Sequence, residues 1–237
     1  MHNHEAKRFG YIENRINLLF DDVWFISNDE LNSFKSKLSS EKGIYIPMPA
    51  LDIDLFSKKA KSKSVLYVGD LSLKNNFESL VWFTNNVLPE IRQKSNDIEF
   101  TVVGKIIQND KEKITGEHIS VLGYVDDINA LYSNSCCFVC PIIFGAGVKV
   151  KTIDALSKGI IVVTNSKGIE GTKLEAGKHL VVCDDSKEMA EIIVDICNDN
   201  TKYESIRESG YSFVKENHSL INQANIINLA FEKLSNV

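Results

Sequence analysis

The chain of 237 residues has no apolar run near the ~18 residues needed to cross a bilayer, and its amino terminus carries no apolar core of the signal-peptide kind. A soluble, cytoplasmic protein is expected, with peripheral contact at the inner face of a membrane left open. There is no basic excess either. With 27 Lys and Arg against 32 Asp and Glu, the net charge of −5 argues against a general nucleic-acid binder. Cysteines in metal-type pairs are also missing. Cys136, Cys137, Cys140, Cys183 and Cys197 are odd in number and lie in apolar runs, which suits buried thiols in a reducing compartment. Zinc needs about four ligands, and the first three cysteines share one predicted strand without a partner pair, so no metal is expected. His2 and His4 read as part of a disordered end.

Several signatures of nucleotide and hydrolase chemistry are absent too. No G-x-x-x-x-G-K-[ST] phosphate loop and no G-x-S-x-G elbow occurs. The first strand-to-helix turn, Gly69-Asp70-Leu71-Ser72-Leu73-Lys74, is not a G-x-G-x-x-G fingerprint, which counts against a dehydrogenase. No internal repeat, low-complexity tract or persistent coiled-coil register is present.

What is there begins with a helix from about Glu5, with Tyr11, Ile12, Ile16, Leu19 and Phe20 spaced for one buried face. A strand at Val23 to Ile26 follows, then a helix capped by Ser27 with Glu30 completing a capping box, then a short strand from Gly43 stopped by Pro47 and Pro49. Residues 57–64 are polar, basic and aperiodic, the composition of an exposed linker. From Val65 strands and helices alternate. The strands are predicted at Val65 to Val68, Ile98 to Val103, Ile119 to Leu122, Cys136 to Ile142, Ile160 to Thr164 and Leu180 to Cys183. Several are continuously apolar, as in parallel strands buried on both faces. Pro89 kinks or restarts the first helix, Asp126 to Ser133 gives a second, and Met189 to Cys197 a strongly amphipathic one. Thr201 to Asn217 and Leu220 to Leu234 close the chain as helices. The fold class is α/β: a Rossmann-like doubly wound parallel sheet over residues 65–237, after a partial α/β segment over 1–56.

In such sheets ligands bind beyond the carboxyl ends of the strands. The loops there hold Gly69, Gly104, Gly123 with Tyr124, and the stretch Phe144-Gly145-Ala146-Gly147-Val148-Lys149-Val150-Lys151. Two glycines two apart before a helix let backbone N–H groups approach an anion at the helix's positive end. Lys149 and Lys151 add mobile positive charge, and Asp154 shares the helix face of Lys151. The alternative is a glycine-rich turn followed by an exposed helix, with Lys151 and Asp154 as a surface ion pair worth about 0.3 kcal/mol.

The motifs taken in order are Val68-Gly69-Asp70, Lys74-Asn75, Trp82-Phe83, Val87-Leu88-Pro89, Val102-Val103-Gly104 and Gly123-Tyr124-Val125-Asp126-Asp127. Pro141 through Gly147, Lys151, Asp154-Ala155-Leu156 and Gly159 through Thr164 follow. Together they resemble the C-terminal half of the retaining, family 4 (group 1) glycosyltransferases of the GT-B fold. The likeness spans about residues 64–236. It implies a nucleotide-sugar donor domain, in which Gly145, Ala146 and Gly147 meet the diphosphate and sugar through backbone N–H groups. Lys74 and Lys151 match positions that neutralise the diphosphate. Asp154 stands where the family has a glutamate for the ribose, and Gly104 and Tyr124 border the base. Asp70 replaces an arginine usual in the family.

The resemblance implies transfer of a sugar, with retention and without metal or other cofactor, from a nucleotide sugar to a polysaccharide or lipid-linked acceptor. Residues 11–52 resemble only the last elements of the family's acceptor half. The second expectation is therefore a noncatalytic or partner-dependent donor-binding module, with a protein partner supplying the acceptor domain. The last helix would lean across that missing domain and expose an apolar face.

Overall fold

The computed structural model describes residues 2–50, 53 and 63–235. A small parallel pair opens the chain: β1 (Val23–Phe25) lies beside β2 (Gly43–Tyr45). Around it are α1 (His2–Glu13), α2 (Ile16–Leu19) and α3 (Asn28–Leu38). Ser27 caps α3, its Oγ accepting from the Glu30 N–H at 3.3 Å. Two expectations fail here. The chain is helical from His2 rather than disordered. Tyr11, Ile12, Leu19 and Phe20 are 53% exposed or more, so the stripe predicted to be buried faces outward.

The main sheet has six strands, all parallel: β3 (Ser64–Val68), β4 (Glu99–Val103), β5 (Ile119–Gly123), β6 (Cys137–Cys140), β7 (Ile161–Thr164) and β8 (Val181–Val182). Their spatial order is β5-β4-β3-β6-β7-β8. Counted within this sheet, that is the 3-2-1-4-5-6 order of dinucleotide-binding folds, which reverses between β3 and β6. The helices α4 (Lys74–Asn86), α5 (Leu88–Lys94) and α9 (Ser186–Asn198) cover one face. The helices α7 (Asn129–Asn134), α8 (Val150–Ser157) and α10 (Glu204–Asn217) cover the other. The short α6 (Gln108–Lys111) joins β4 to β5, and α11 (Leu220–Ser235) ends the chain. Phe83, Phe100, Ile91 and Ile193 fill the first layer, and Phe138, Ile153, Leu156 and Val214 the second. β6 and β7 are buried at every position, which is why they read as unbroken apolar runs. The edge strand β5 alternates between half-buried and exposed residues.

Some boundaries move. Pro89 restarts the helix rather than kinking it, entering the first turn of α5 where its missing N–H costs nothing. β6 ends at Cys140, because Pro141 cannot extend the ladder. β8 has two residues instead of the four predicted. The expected linker over 57–64 lies mostly outside the described residues, and at its end Ser64 already belongs to β3 while Lys63 pairs with Asp97 at 2.8 Å.

The amino-terminal elements are tied to the main sheet by polar contacts. The Asn28 N–H donates to the Gly171 carbonyl at 2.8 Å, and the Gly171 N–H donates to Asp29 Oδ2 at 2.8 Å. The fully buried His218 donates from Nδ1 to the Met48 carbonyl at 2.7 Å, and Trp24 meets Phe231 of α11 edge-on at 5.8 Å. Among the described residues no helix is long and apolar enough to cross a membrane.

Candidate donor-binding site

The strand order reverses between β3 and β6, and in sheets of this kind the ligand crevice lies there, between the loops that follow those two strands. Three glycines expected to approach a nucleotide instead bring neighbouring loops together. The Gly69 N–H donates to the Val103 carbonyl at 2.9 Å, and the Gly104 N–H to the Gly123 carbonyl at 2.8 Å. A Cβ on Gly104, whose φ is +140°, would lie 1.8 Å from the Gly69 carbonyl oxygen, so no other residue fits there. These glycines shape the floor of the crevice. Tyr124 is 77% exposed beyond the edge strand, two strands away from β3.

The loop after β6 turns through Gly145 (φ +108°) and Gly147 (φ +85°), then runs into α8. It is braced on both sides. Ser79 on α4 accepts from the Ile143 N–H at 3.2 Å while donating to the Asn75 carbonyl at 2.6 Å. Lys167, beyond β7, donates to the Ile143 carbonyl at 2.9 Å. Lys149 folds back on the loop and donates to the carbonyls of Gly145 (3.2 Å) and Gly147 (2.6 Å). Its ammonium thus braces the turn. Gly145 and Ala146 are exposed, and Phe144 is half-buried behind them. The first N–H groups of α8 have no acceptor within the helix, which is the arrangement that receives an anion.

Lys151, in the first turn of α8, does not pair with Asp154. It turns across the switch point, donating to Asn76 Oδ1 at 2.8 Å and Tyr67 Oη at 3.2 Å, with its ammonium 4.9 Å from the Tyr67 ring centre. Among the described residues no carboxylate reaches it within ion-pair distance. Burial lowers its pKa from the ordinary lysine value; Cys140 opposes this shift and Lys149 adds to it. Burial also raises the Tyr67 pKa, so this phenol stays protonated. The result is a half-buried cation held by two neutral oxygens. Asp154, three residues further along α8, lies near Tyr132 of α7, where its charge reinforces the burial that raises the Tyr132 pKa. Lys74 opens α4 at the rim and forms an exposed i,i+4 ion pair with Glu78 at 3.5 Å.

Tyr67, Asn76 and Ser79 were not singled out from the sequence. Tyr67 is one residue in an apolar strand, and Ser79 is a small polar residue on a buried helix face. Asn76 follows the Lys74-Asn75 motif and was within reach of the sequence signal. Three cysteines do meet, against expectation: Cys136, Cys137 and Cys197 bring their sulfurs within 4.8 Å of one another, one ligand short of a structural zinc site.

A doubly wound parallel sheet with a glycine turn and a helix start at its switch point, beside a lysine without a carboxylate partner among the described residues, defines a Rossmann-like domain, one half of a GT-B fold. Residues 62–199 match the family described as glycosyl transferases group 1, and the chain belongs to that family. It is 30% identical over 227 residues to an uncharacterised 44.6 kDa protein in the cps region of Klebsiella pneumoniae, covering 91% of this chain and 57% of that protein. Among solved structures, a mutant S. aureus TarM in complex with fondaparinux, alpha-GlcNAc-glycerol and UDP shares the fold. Its TM-score is 0.74 at 14% identity, covering 95% of this chain and 46% of that one. Anabaena HepE in complex with UDP and glucose gives a TM-score of 0.68 at 16% identity, covering 92% and 63%. A glycosyltransferase from Rickettsia africae gives 0.72 at 17% identity, covering 97% and 68%. The chain thus spans a little over half the length of its curated relative.

Proposed function

We propose that the chain binds a nucleotide-diphosphate sugar at the β3–β6 crevice and serves its transfer, with retention and without a metal ion, to a polysaccharide or lipid-linked acceptor. The observation that carries this reading is Lys151, held beside the Gly145–Gly147 turn by Tyr67 and Asn76 with no carboxylate within ion-pair distance among the described residues. A diphosphate is the ligand such a cation and the α8 N–H groups together accommodate. Stabilising negative charge on the departing nucleotide is the catalytic task this half can perform. Lys74 reaches the same anion from the rim once released from Glu78, and Asp154 accepts from the ribose. UDP accompanies the TarM and HepE structures, which makes it the first nucleotide to test. The reaction would take place in the cytoplasm, in contact at most with the inner face of the membrane.

A second reading, a donor module that depends on a partner for turnover, is favoured by one observation. Leu220, Ile221, Leu229 and Phe231 on α11 are each at least 55% exposed, beside Trp24 of β1 at 43%. Such a surface suits an acceptor-binding domain packed against it, and a structural neighbour is described as the GtfA/B complex. Calorimetry with UDP, GDP and their sugars tests both readings. Binding of one nucleotide class, weakened in Lys151→Ala and Asp154→Ala, is expected. Failure of both classes to bind refutes the site, and binding without transfer until a second protein is added supports the partner-dependent form.

A further inference from the structure

At the end of the sheet opposite the crevice, Cys136 precedes β6, Cys137 opens it, and Cys197 lies in the last turn of α9. The Cys136 and Cys197 sulfurs are 2.6 Å apart, and Cys136 Sγ also lies 3.1 Å from the Ser64 carbonyl. Two thiolates on a tetrahedral zinc would stand about 3.8 Å apart, given Zn–S bonds of about 2.3 Å. A disulfide needs about 2 Å. The pair is therefore closer to bonding than to sharing a metal. Cys137 is not the bonding partner, because neighbouring Cα atoms are about 3.8 Å apart and a disulfide usually needs at least about 4.4 Å. Hydrogen bonds from Cys137 and Cys197 hold the Cys136 thiol well below its usual range, while the other two thiols are raised. Cys136 is thus the thiol of the three that gives up its proton most readily, and it lies beside Cys197 as a nucleophile lies beside a resolving group. Cys136 is 4% exposed and Cys197 is half-buried, so Cys197 is the more accessible sulfur of the pair.

We infer that Cys136 and Cys197 form a thiol-oxidation site that closes to an intrachain disulfide on reaction with a hydroperoxide. The Cys136 sulfur takes the terminal peroxide oxygen, breaking the O–O bond and leaving an alcohol or water after protonation. The Cys197 sulfur then attacks the sulfenic acid, and its proton leaves with the hydroxyl as water. Two electrons pass from the sulfurs to the peroxide. The new bond spans 61 positions, joining the start of β6 to the end of α9 around β7 and α8. By constraining the unfolded chain it raises Tm by about 10 °C. The crevice at the other end of β6 keeps its geometry.

The test is to treat the full chain with hydrogen peroxide, count thiols and map unreduced peptides by mass. Two of the five thiols should disappear, the peptides carrying Cys136 and Cys197 should join with loss of two hydrogens, and Tm should rise. Dithiothreitol should reverse all three changes, and Cys197→Ser should abolish them. Cys183, whose pKa burial pushes up to about 11, is the internal control and should stay reduced. Oxygen added to Cys136 without cross-linking would overturn the inference. So would oxidation of Cys183 at the same rate, or a tightly held thiophilic metal that shields all three sulfurs from peroxide.

Discussion

Replacing Lys151 by methionine should move stability and ligand binding in opposite directions. The side chain keeps its stem but loses an ammonium that is half-buried against the neutral oxygens of Tyr67 and Asn76. In the ligand-free protein that charge is a burden, because burial depresses its pKa. The sign follows from linkage. A base with a lowered folded pKa costs stability when both states are protonated, and the cost is relieved as pH rises through the lowered value toward 10.5. At neutral pH the charge is present and the cost is paid, so Lys151→Met should raise the Tm of the empty protein. A bound diphosphate reverses the balance. Loss of a hydrogen bond to a charged group costs about 1.5–3 kcal/mol, a weakening of about 10- to 150-fold in Kd. For the wild type, UDP affinity should fall as pH climbs through the lowered Lys151 pKa, and near that pH binding should take up protons, which calorimetry in buffers of different ionisation heat measures directly. A methionine variant that binds UDP as tightly as the wild type, or that melts at a lower temperature when empty, would refute this reasoning.

Three further outcomes are expected. Gly104→Ala places a Cβ against the Gly69 carbonyl at a left-handed φ and should cost about 2–4 kcal/mol in urea unfolding, whereas a cost under about 0.5 kcal/mol would show that the two loops can part. Gly147→Val meets no atom within 4 Å but must adopt φ +85°, so it should impair nucleotide binding more than it lowers Tm, as a titration beside a melting curve will reveal. His218 is held neutral, its pKa lowered by burial against the bond to Met48; stability should fall as pH drops below the unfolded value of 6.5 toward the lowered folded one, and His218→Gln should flatten that part of the Tm–pH curve.

The fold was legible because its signal is summed over many residues. Continuous apolar runs at β3, β6 and β7 mark strands buried on both faces, and Ser27, Pro89 and the Met189 to Ile196 stripe mark helix starts and faces. Lengths were less legible where one residue decides them, as Pro141 does for β6. The outward face of α1 and α2 was misread for a different reason. Periodicity shows that Tyr11, Ile12, Leu19 and Phe20 share a side, but not whether this chain or another covers it. The strand order, which locates the crevice between β3 and β6, arises from long-range pairing and leaves no local trace.

The Gly145 to Lys151 stretch illustrates the limit for individual site residues. Lys149 and Lys151 are two apart, carry the same charge and follow the same glycines, so composition and spacing assign them the same task. In the structure they differ because helix α8 begins between them. Lys149 lies just before it, where its stem curls back to the Gly145 and Gly147 carbonyls. By satisfying those oxygens it leaves the N–H side of the turn for the proposed ligand. Lys151 lies one residue into the helix, and its rotation carries the ammonium over the switch point to β3 and α4. There the nearest oxygens are neutral, and the cation remains available to an anion. In the proposed site one lysine braces the turn and the other supplies the charge, a division set by about 100° of helical rotation per residue rather than by residue type.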